Sequence, residues 1–170
     1  TREGVLGNEY TKWSDKVTPD HCLTLPFTRM VAGAMDFTPG GFRHKMKDDF
    51  KAVGDNAPGP FTMGTICFQL AQLIVYESPL QVLADSPYNY RVSPGGLDFL
   101  KIVPTTWDET KVLNGKVGDF ITVARRSGDN WYIGSMTDWT KRNLDIELSF
   151  IGEGKFEAQT GECQRQMCLV

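Results

Sequence analysis

Residues 120–136 commit part of this chain to antiparallel sheet. Phe120 to Arg125 (FITVAR) is a run of β-branched and aromatic residues, and Trp131 to Met136 (WYIGSM) is a second. Between them Ser127 to Asn130 (SGDN) forms a four-residue turn, so the two runs predict a hairpin. Downstream, Leu144, Ile146, Leu148 and Phe150 alternate with Asp145, Glu147 and Ser149. That period of two predicts a half-buried strand with one wet face. Gly152 and Gly154 turn the chain into Lys155 to Gln159, read as another strand. Thr160 to Val170 alternates poorly and reads as a truncated or frayed end of the sheet.

Upstream of Val103-Pro104 the character changes to helix and loop. Residues 1–20 read as loop, with Thr18 or Asp20 placed to cap the helical segment after them. Leu23 to Met35 predicts a helix that tolerates Pro26 in its first turn. Asp36 to Gly41 (DFTPGG) breaks it and reads as a short strand followed by loop. Residues 43–60 are charged, then rich in Gly and Pro, and look like a surface excursion. Thr62 to Asp85 predicts the longest helix, interrupted at Ser78-Pro79 and ended by Ser86-Pro87. Its apolar residues Ile66, Leu70, Leu73, Ile74 and Tyr76 cover much of the circumference, which implies burial on several sides. A short helix fits Leu97 to Lys101. The expected division is therefore a helix- and loop-rich part, 1–103, and a small antiparallel β-domain, 104–170.

Composition narrows the function. The 170 residues carry a net charge of −3, with 41% hydrophobic and 23% charged residues, as in an ordinary globular protein. This balance offers no general electrostatic attraction for nucleic acid or an anionic membrane, whose footprint would be a basic face, whereas a neutral substrate such as a sugar is compatible though not selected by charge. No window approaches 18 consecutive apolar residues, so no helical membrane span is expected. Of the four cysteines, Cys22, Cys67, Cys163 and Cys168, none forms a CxxC pair and no His lies near the last two, which argues against zinc. Cys67 sits in an apolar helical run and reads as a buried thiol. His21 and His44 have no Ser or Cys partner at a recognisable elbow, and GxSxG, GxGxxG and GxxxxGK[ST] do not occur.

The chemistry-bearing segment is the first one, Thr1 to Tyr10 (TREGVLGNEY). Glu3 and Glu9 lie six positions apart among glycines, a spacing that shares neither one helix stripe nor a regular ladder. It suits a loop that aims acids into a cavity, one to bind a cation and the other to transfer a proton. Glycosidic cleavage needs such an acid, because an alkoxide leaves badly, together with a second carboxylate across the sugar ring. The alternative is two solvated acids on a surface loop. Tyr10 and Trp13 follow directly and offer faces for a sugar ring or for ordinary packing. Arg2 beside Glu3 either orients it by a charge-assisted hydrogen bond or forms a plain surface pair, and Asp36 either faces a barrel mouth or is a turn acid. The chain opens on Thr rather than Met and enters this segment without a run-up, which reads as the C-terminal piece of a larger enzyme.

Four stretches resemble glycoside hydrolase family 97, the α-glucosidase and α-galactosidase family. They are TREGVLGNEYTKWSD (1–15), LPFTRMVAGAMDFTPGGF (25–42), QLAQLIVYESPLQVLADSP (69–87) and FLKIVPTTWDETKVLNGKVGDFITVARRSGDNWYIGSMTDW (99–139). The resemblance implies a fold that is α/β plus all-β: the C-terminal part of a (β/α)8 TIM barrel (1–103) followed by a small antiparallel β-sandwich domain (104–170). It implies a parent whose N-terminal β-sandwich and upstream barrel lie outside this chain, together with the base or nucleophile. Glu9 in GNEY matches the family's general acid, and Glu3 in TREG matches one ligand of an active-site calcium. The expected activity is hydrolysis of terminal α-linked glucose or galactose from an oligosaccharide, in the periplasm or outside the cell, with the isolated chain inactive. A contrasting reading is a stand-alone carbohydrate-binding or structural β-module on residues 104–159, with Trp131, Tyr132 and Trp139 as an aromatic platform.

Overall fold

In the computed structural model, which describes residues 5–55, 59–163 and 166–169, the hairpin expected at 120–136 is the centre of an antiparallel sheet. Its strands are β3 (Glu109–Lys116), β4 (Phe120–Ser127) and β5 (Asn130–Thr137), in that spatial order. The β4–β5 register runs from Phe120 opposite Thr137 to Ser127 opposite Asn130, leaving Gly128 and Asp129 at the tip. Gly128 takes φ +58°, a left-handed conformation that a residue without Cβ adopts at no steric cost. β3 carries no clean alternation because its register shifts between Val112 and Asn114, and a bulge breaks the period of two that marks a strand in sequence.

One face of this sheet packs on α2 (Ile66–Val75), eight of whose ten residues are buried. The contact is close because β5 presents Gly134 to it: a Cβ there would lie 2.8 Å from Ile74 Cβ and 3.0 Å from the Ala71 carbonyl oxygen. The all-round burial expected of α2 is found, and even Gln69 and Gln72 are inside. Its length is a correction. Thr62–Met63 forms β2, paired in parallel with β1 (His44–Lys45), and the Thr65 hydroxyl caps the helix by accepting the Phe68 N–H. The helix stops at Tyr76, whose ψ of 135° leaves the helical region. It does not resume after Pro79, which bars Ser78 from helical geometry; Gln81 instead bridges Phe37 in parallel.

Other expected elements shift for local reasons. The first helix, α1, spans Pro19–Thr24, with the Thr18 hydroxyl accepting the His21 N–H at its start. Pro26 is then past its end rather than in its first turn. The chain goes on only as short 3₁₀ turns, Leu25–Phe27 and Arg29–Ala32, until Gly33 at φ +102° ends it before Met35. The short strand expected in residues 36–41 is reduced to the Phe37–Gln81 bridge and a Met35 N–H to Glu77 carbonyl bond of 2.9 Å. α3 (Pro87–Arg91) and α4 (Pro94–Ile102) come next, the latter enclosing the helix expected at 97–101.

The strand expected at 144–150 is not formed. Arg142, Leu144 and Ile146 are half-buried and their neighbours Lys141, Asn143, Asp145 and Glu147 exposed, so the alternation of faces is kept as far as Glu147 and breaks at Leu148, which is exposed. Among the described residues no strand pairs with the segment, which ends in a 3₁₀ turn at Ser149–Ile151. Residues 155–159 are likewise irregular. The poorly alternating tail forms the hairpin instead: β6 (Thr160–Cys163) pairs antiparallel with β7 (Gln166–Leu169).

Two apolar clusters meet at α2. One joins Val17, Leu23, Met35, Phe37 and Tyr76 to Ile121, Val123 and Met136, so it draws on both sides of residue 103. The other gathers Phe42, Leu70, Leu73, Ile74, Tyr90 and Phe99. Cys22 is free and buried in the first. Cys67 is buried as expected but disulfide-bonded, not a thiol. Among the described residues no helix is long and apolar enough to cross a membrane.

Past β5, Arg142 gathers the chain: its guanidinium binds the Asp138 carboxylate, the Thr137 hydroxyl and the Asp119 and Thr140 carbonyls. Hydrogen bonding to Arg142 lowers the Asp138 carboxyl to about 2. Because the folded value lies below the unfolded one of ~3.9, the unfolded chain binds more protons between them. The contribution of Asp138 is therefore fully present above about pH 4 and lost as pH falls toward 2. Urea midpoints measured across that window should fall less steeply for Asp138→Asn than for the native residue. Parallel curves would show that the pair contributes nothing.

Candidate functional site

Glu9 sits on a 3₁₀ turn, Asn8–Lys12, entered through an extended and buried Gly7. The turn has two sides. Asn8 and Thr11, three apart, point inward and are buried, while Glu9 and Tyr10 point out and are exposed. The inward side is hydrogen-bonded throughout: Asn8 Nδ2 donates to Gln69 Oε1 at 2.7 Å, and the Thr11 hydroxyl donates to the Asn8 carbonyl at 2.5 Å. Gln69 Oε1 also accepts the Gly41 N–H at 3.2 Å. One buried oxygen on α2 thus joins the Glu9 turn to the FTPGGF loop. That loop is fixed further by Tyr90, whose hydroxyl donates to the Gly40 carbonyl, and by Asp85, which accepts the Phe42 and Arg43 N–H groups. Gly41 is required there: a Cβ would lie 2.1 Å from Thr62 Cγ2.

The outward side is aromatic. Tyr10 and Trp13 are 41% and 52% exposed, their rings 6.4 Å apart and tilted by 56°. Trp13 is held in place, with its indole N–H donating to Asp55 Oδ1 at 2.5 Å and the Lys12 ammonium 5.4 Å from its ring. The Gly54 N–H to Lys12 carbonyl bond, 2.8 Å, secures the same loop. The turn therefore presents an exposed carboxylate and two exposed aromatic rings on its outer side; in general, rings of this kind stack on sugar faces and carboxylic acids protonate glycosidic oxygens.

Glu3 and Arg2 lie outside the described residues. Asp36 is half-buried, between the buried Met35 and Phe37. The histidines serve the backbone: His21 Nε2 lies 3.2 Å from the Leu6 carbonyl and His44 Nδ1 3.1 Å from the Phe42 carbonyl. Burial pushes the Cys22 thiol up to about 12 and Tyr76 well above its usual value, so neither is a reactive group at neutral pH. Among the described residues no three His, Cys, Asp or Glu side chains cluster so as to hold a metal ion.

The aromatic platform expected in the β-part is not free. Trp131 packs edge-on against Phe150 at 4.8 Å and Tyr132 against Trp107 at 5.4 Å, and Trp139 is half-buried. A groove of about 610 Å³ between β3 and residues 145–150 is lined by Lys111, Asn114, Asp145, Glu147 and Phe150, with none of the Glu9 turn. Asn8 and Gln69 carry no motif that marks them in the sequence. The available signal is Gln69 itself, a polar residue inside an otherwise apolar helical run.

Residues 106–164 match the family model described as "Glycosyl-hydrolase 97 C-terminal, oligomerisation". The chain is 42% identical, over 92% of its length, to a retaining alpha-galactosidase of Bacteroides thetaiotaomicron, covering 23% of that protein. It is 38% identical to a probable retaining alpha-galactosidase of Streptomyces bingchenggensis, over 91% of this chain and 21% of that one. Among solved structures it superposes on a Glycoside Hydrolase Family 97 enzyme from Pseudoalteromonas sp. strain K8 in complex with acarbose, with a TM-score of 0.75 and 38% identity. That match covers 94% of this chain and 24% of the other. A glutamate-to-glutamine variant of the same enzyme, in complex with panose, matches equally well at a TM-score of 0.75. The chain spans about a quarter of the length of these relatives.

Proposed function

We infer that this chain, which belongs to glycoside hydrolase family 97, supplies the general acid of an enzyme that removes terminal α-linked sugars from oligosaccharides. Glu9 is that acid. The observation that carries this reading is the geometry of its turn: Asn8 is bonded to Gln69 in the core and Thr11 closes the turn on the Asn8 carbonyl, so Glu9 is held outward, next to Tyr10 in sequence and on the same turn. Galactosides are the preferred substrates, because the relatives from Bacteroides thetaiotaomicron and Streptomyces bingchenggensis are named as retaining and probable retaining alpha-galactosidases. Glucosides are the second reading, supported by the panose and acarbose complexes of the Pseudoalteromonas enzyme.

On this reading residues 1–103 close a (β/α)8 barrel and 104–170 form the antiparallel β-domain beside it. The parallel pairings of β1 with β2 and of Phe37 with Gln81 support the first part. In such barrels the loops after the strands carry the chemistry. The second carboxylate must come from another segment of the longer enzyme. A retaining course would place it ~5–5.5 Å from Glu9 as nucleophile. The isolated chain is therefore expected to be inactive. The test is the leaving-group dependence of a Glu9→Gln enzyme.

The described residues do not by themselves make a calcium site. Calcium takes six to eight oxygen ligands, so Glu3 would be one contributor among several from other segments. Chelation should lower the activity of the enzyme, and added calcium should restore it fully for the native residue but not for Glu3→Ala. A Glu3→Ala enzyme that responds to chelator and calcium as the native one does would remove Glu3 from the ligand set.

A further inference from the structure

We propose that Gln69 is a positioning residue for the proton donor, acting through Asn8 rather than on the sugar. This rests on the assignment of Glu9 as general acid. Gln69 is 1% exposed, within the apolar helix α2, where a leucine would satisfy packing alone. A buried amide in such a place costs stability unless its atoms are bonded. Here a single oxygen accepts from Asn8 Nδ2 and from the Gly41 N–H, and so sets the distance between two loops that approach from different parts of the chain. Asn8 is the residue before Glu9, and its carbonyl is held in turn by Thr11. Displacement of Asn8 is therefore passed directly to the Glu9 backbone. A general acid acts only within ~2.6–3.2 Å of the oxygen it protonates, so a small displacement is felt in the rate.

Gln72, one turn further along α2, provides the contrast. It is also buried, next to Tyr76 and Cys22, but among the described residues its amide nitrogen and oxygen find no hydrogen-bond partner. A role that is only structural would affect both positions; a positioning role is confined to Gln69.

The test compares Gln69→Leu, Gln72→Leu, Asn8→Ala and Glu9→Gln in the whole enzyme, on an unactivated disaccharide and on an aryl glycoside with a good leaving group. For Gln69→Leu, kcat/KM on the disaccharide should fall about ten- to hundredfold, while kcat/KM on the aryl glycoside, which reports the bond-breaking step alone, loses less than a third of that factor. Gln72→Leu should show no such split. Asn8→Ala reaches the same bond from the other side, so it should show the same split even if Gln69→Leu does not fold. The double variant should be no worse than the worse single one. Equal losses on both substrates for Gln69→Leu and Asn8→Ala, alongside a selective loss for Glu9→Gln, would overturn the positioning role and leave the acid in place. No selective loss for Glu9→Gln would remove the acid assignment and this proposal together.

Discussion

A Glu9→Gln enzyme is expected to lose about 10²- to 10⁴-fold of its turnover on natural oligosaccharides, the usual contribution of general acid catalysis. That corresponds to about 3–5 kcal/mol of transition-state stabilisation. Glutamine keeps the shape of the side chain and its bonds to a hydroxyl but has no proton to give. The loss should therefore scale with the basicity of the departing oxygen. An alkoxide needs the proton and a nitrophenolate does not, so aryl glycosides should be spared at the bond-breaking step. If the course is retaining, as the names of both curated relatives have it, the same residue must later deprotonate water to release the sugar. Azide needs no such base, and adding it should speed the variant on aryl substrates while leaving the native enzyme unchanged. A residue that merely binds substrate would instead raise KM for every leaving group alike.

The second large effect is on stability. Arg125→Ala should cost about 3 kcal/mol, read as a lower urea midpoint with an unchanged slope. Among the described residues Arg125 is the largest fully buried side chain, 2% exposed, and its guanidinium reaches back from β4 to the end of α2. There it pairs with Glu77, donates to the Val75 carbonyl at 3.2 Å and to the Thr110 hydroxyl at 3.1 Å, and lies 5.8 Å from the Trp107 ring. Removing it opens a cavity between sheet and helix and leaves the terminal carbonyl of α2 without its donor. Glu77, by contrast, is 45% exposed and can regain water. Glu77→Gln should therefore cost less than about 1 kcal/mol. Equal losses for the two variants would mean that the ion pair, not the buried stem and the helix-end bond, holds the sheet to α2.

The elements read correctly from sequence are those whose signal is local. Phe120 to Met136 carries β-branched and aromatic runs around a Gly-containing turn, and its register needs nothing distant to set it. Thr18 before Pro19 is similarly self-sufficient as a cap. The misread elements depend on partners far along the chain. α2 ends early because the segment after it bridges Phe37 and because Arg125 takes its last carbonyl. Residues 144–150 have the alternation of a strand, but alternation specifies faces, and a ladder also needs a neighbouring edge with free N–H and C=O groups. Cys67 looks like a core thiol from its surroundings, since a disulfide depends on a second cysteine that local pattern does not locate.

The site divides in the same way. Glu9, with its neighbours Tyr10 and Trp13, is legible as an acid on a loop, and it is found exposed on a turn beside two exposed rings. The joint beneath it is not legible as such, because Asn8 and Gln69 are 61 residues apart. A glutamine inside an apolar helix is visible in sequence, but the partner it bonds is decided by tertiary structure.

The most direct test of the central claim is a crystal structure of the whole Glu9→Gln enzyme holding an intact α-galactosyl oligosaccharide. The side-chain amide at position 9 should lie within hydrogen-bond reach, ~2.6–3.2 Å, of the glycosidic oxygen, with Tyr10 or Trp13 against a sugar ring. A different carboxylate at that oxygen, with residue 9 turned to solvent, would contradict the assignment.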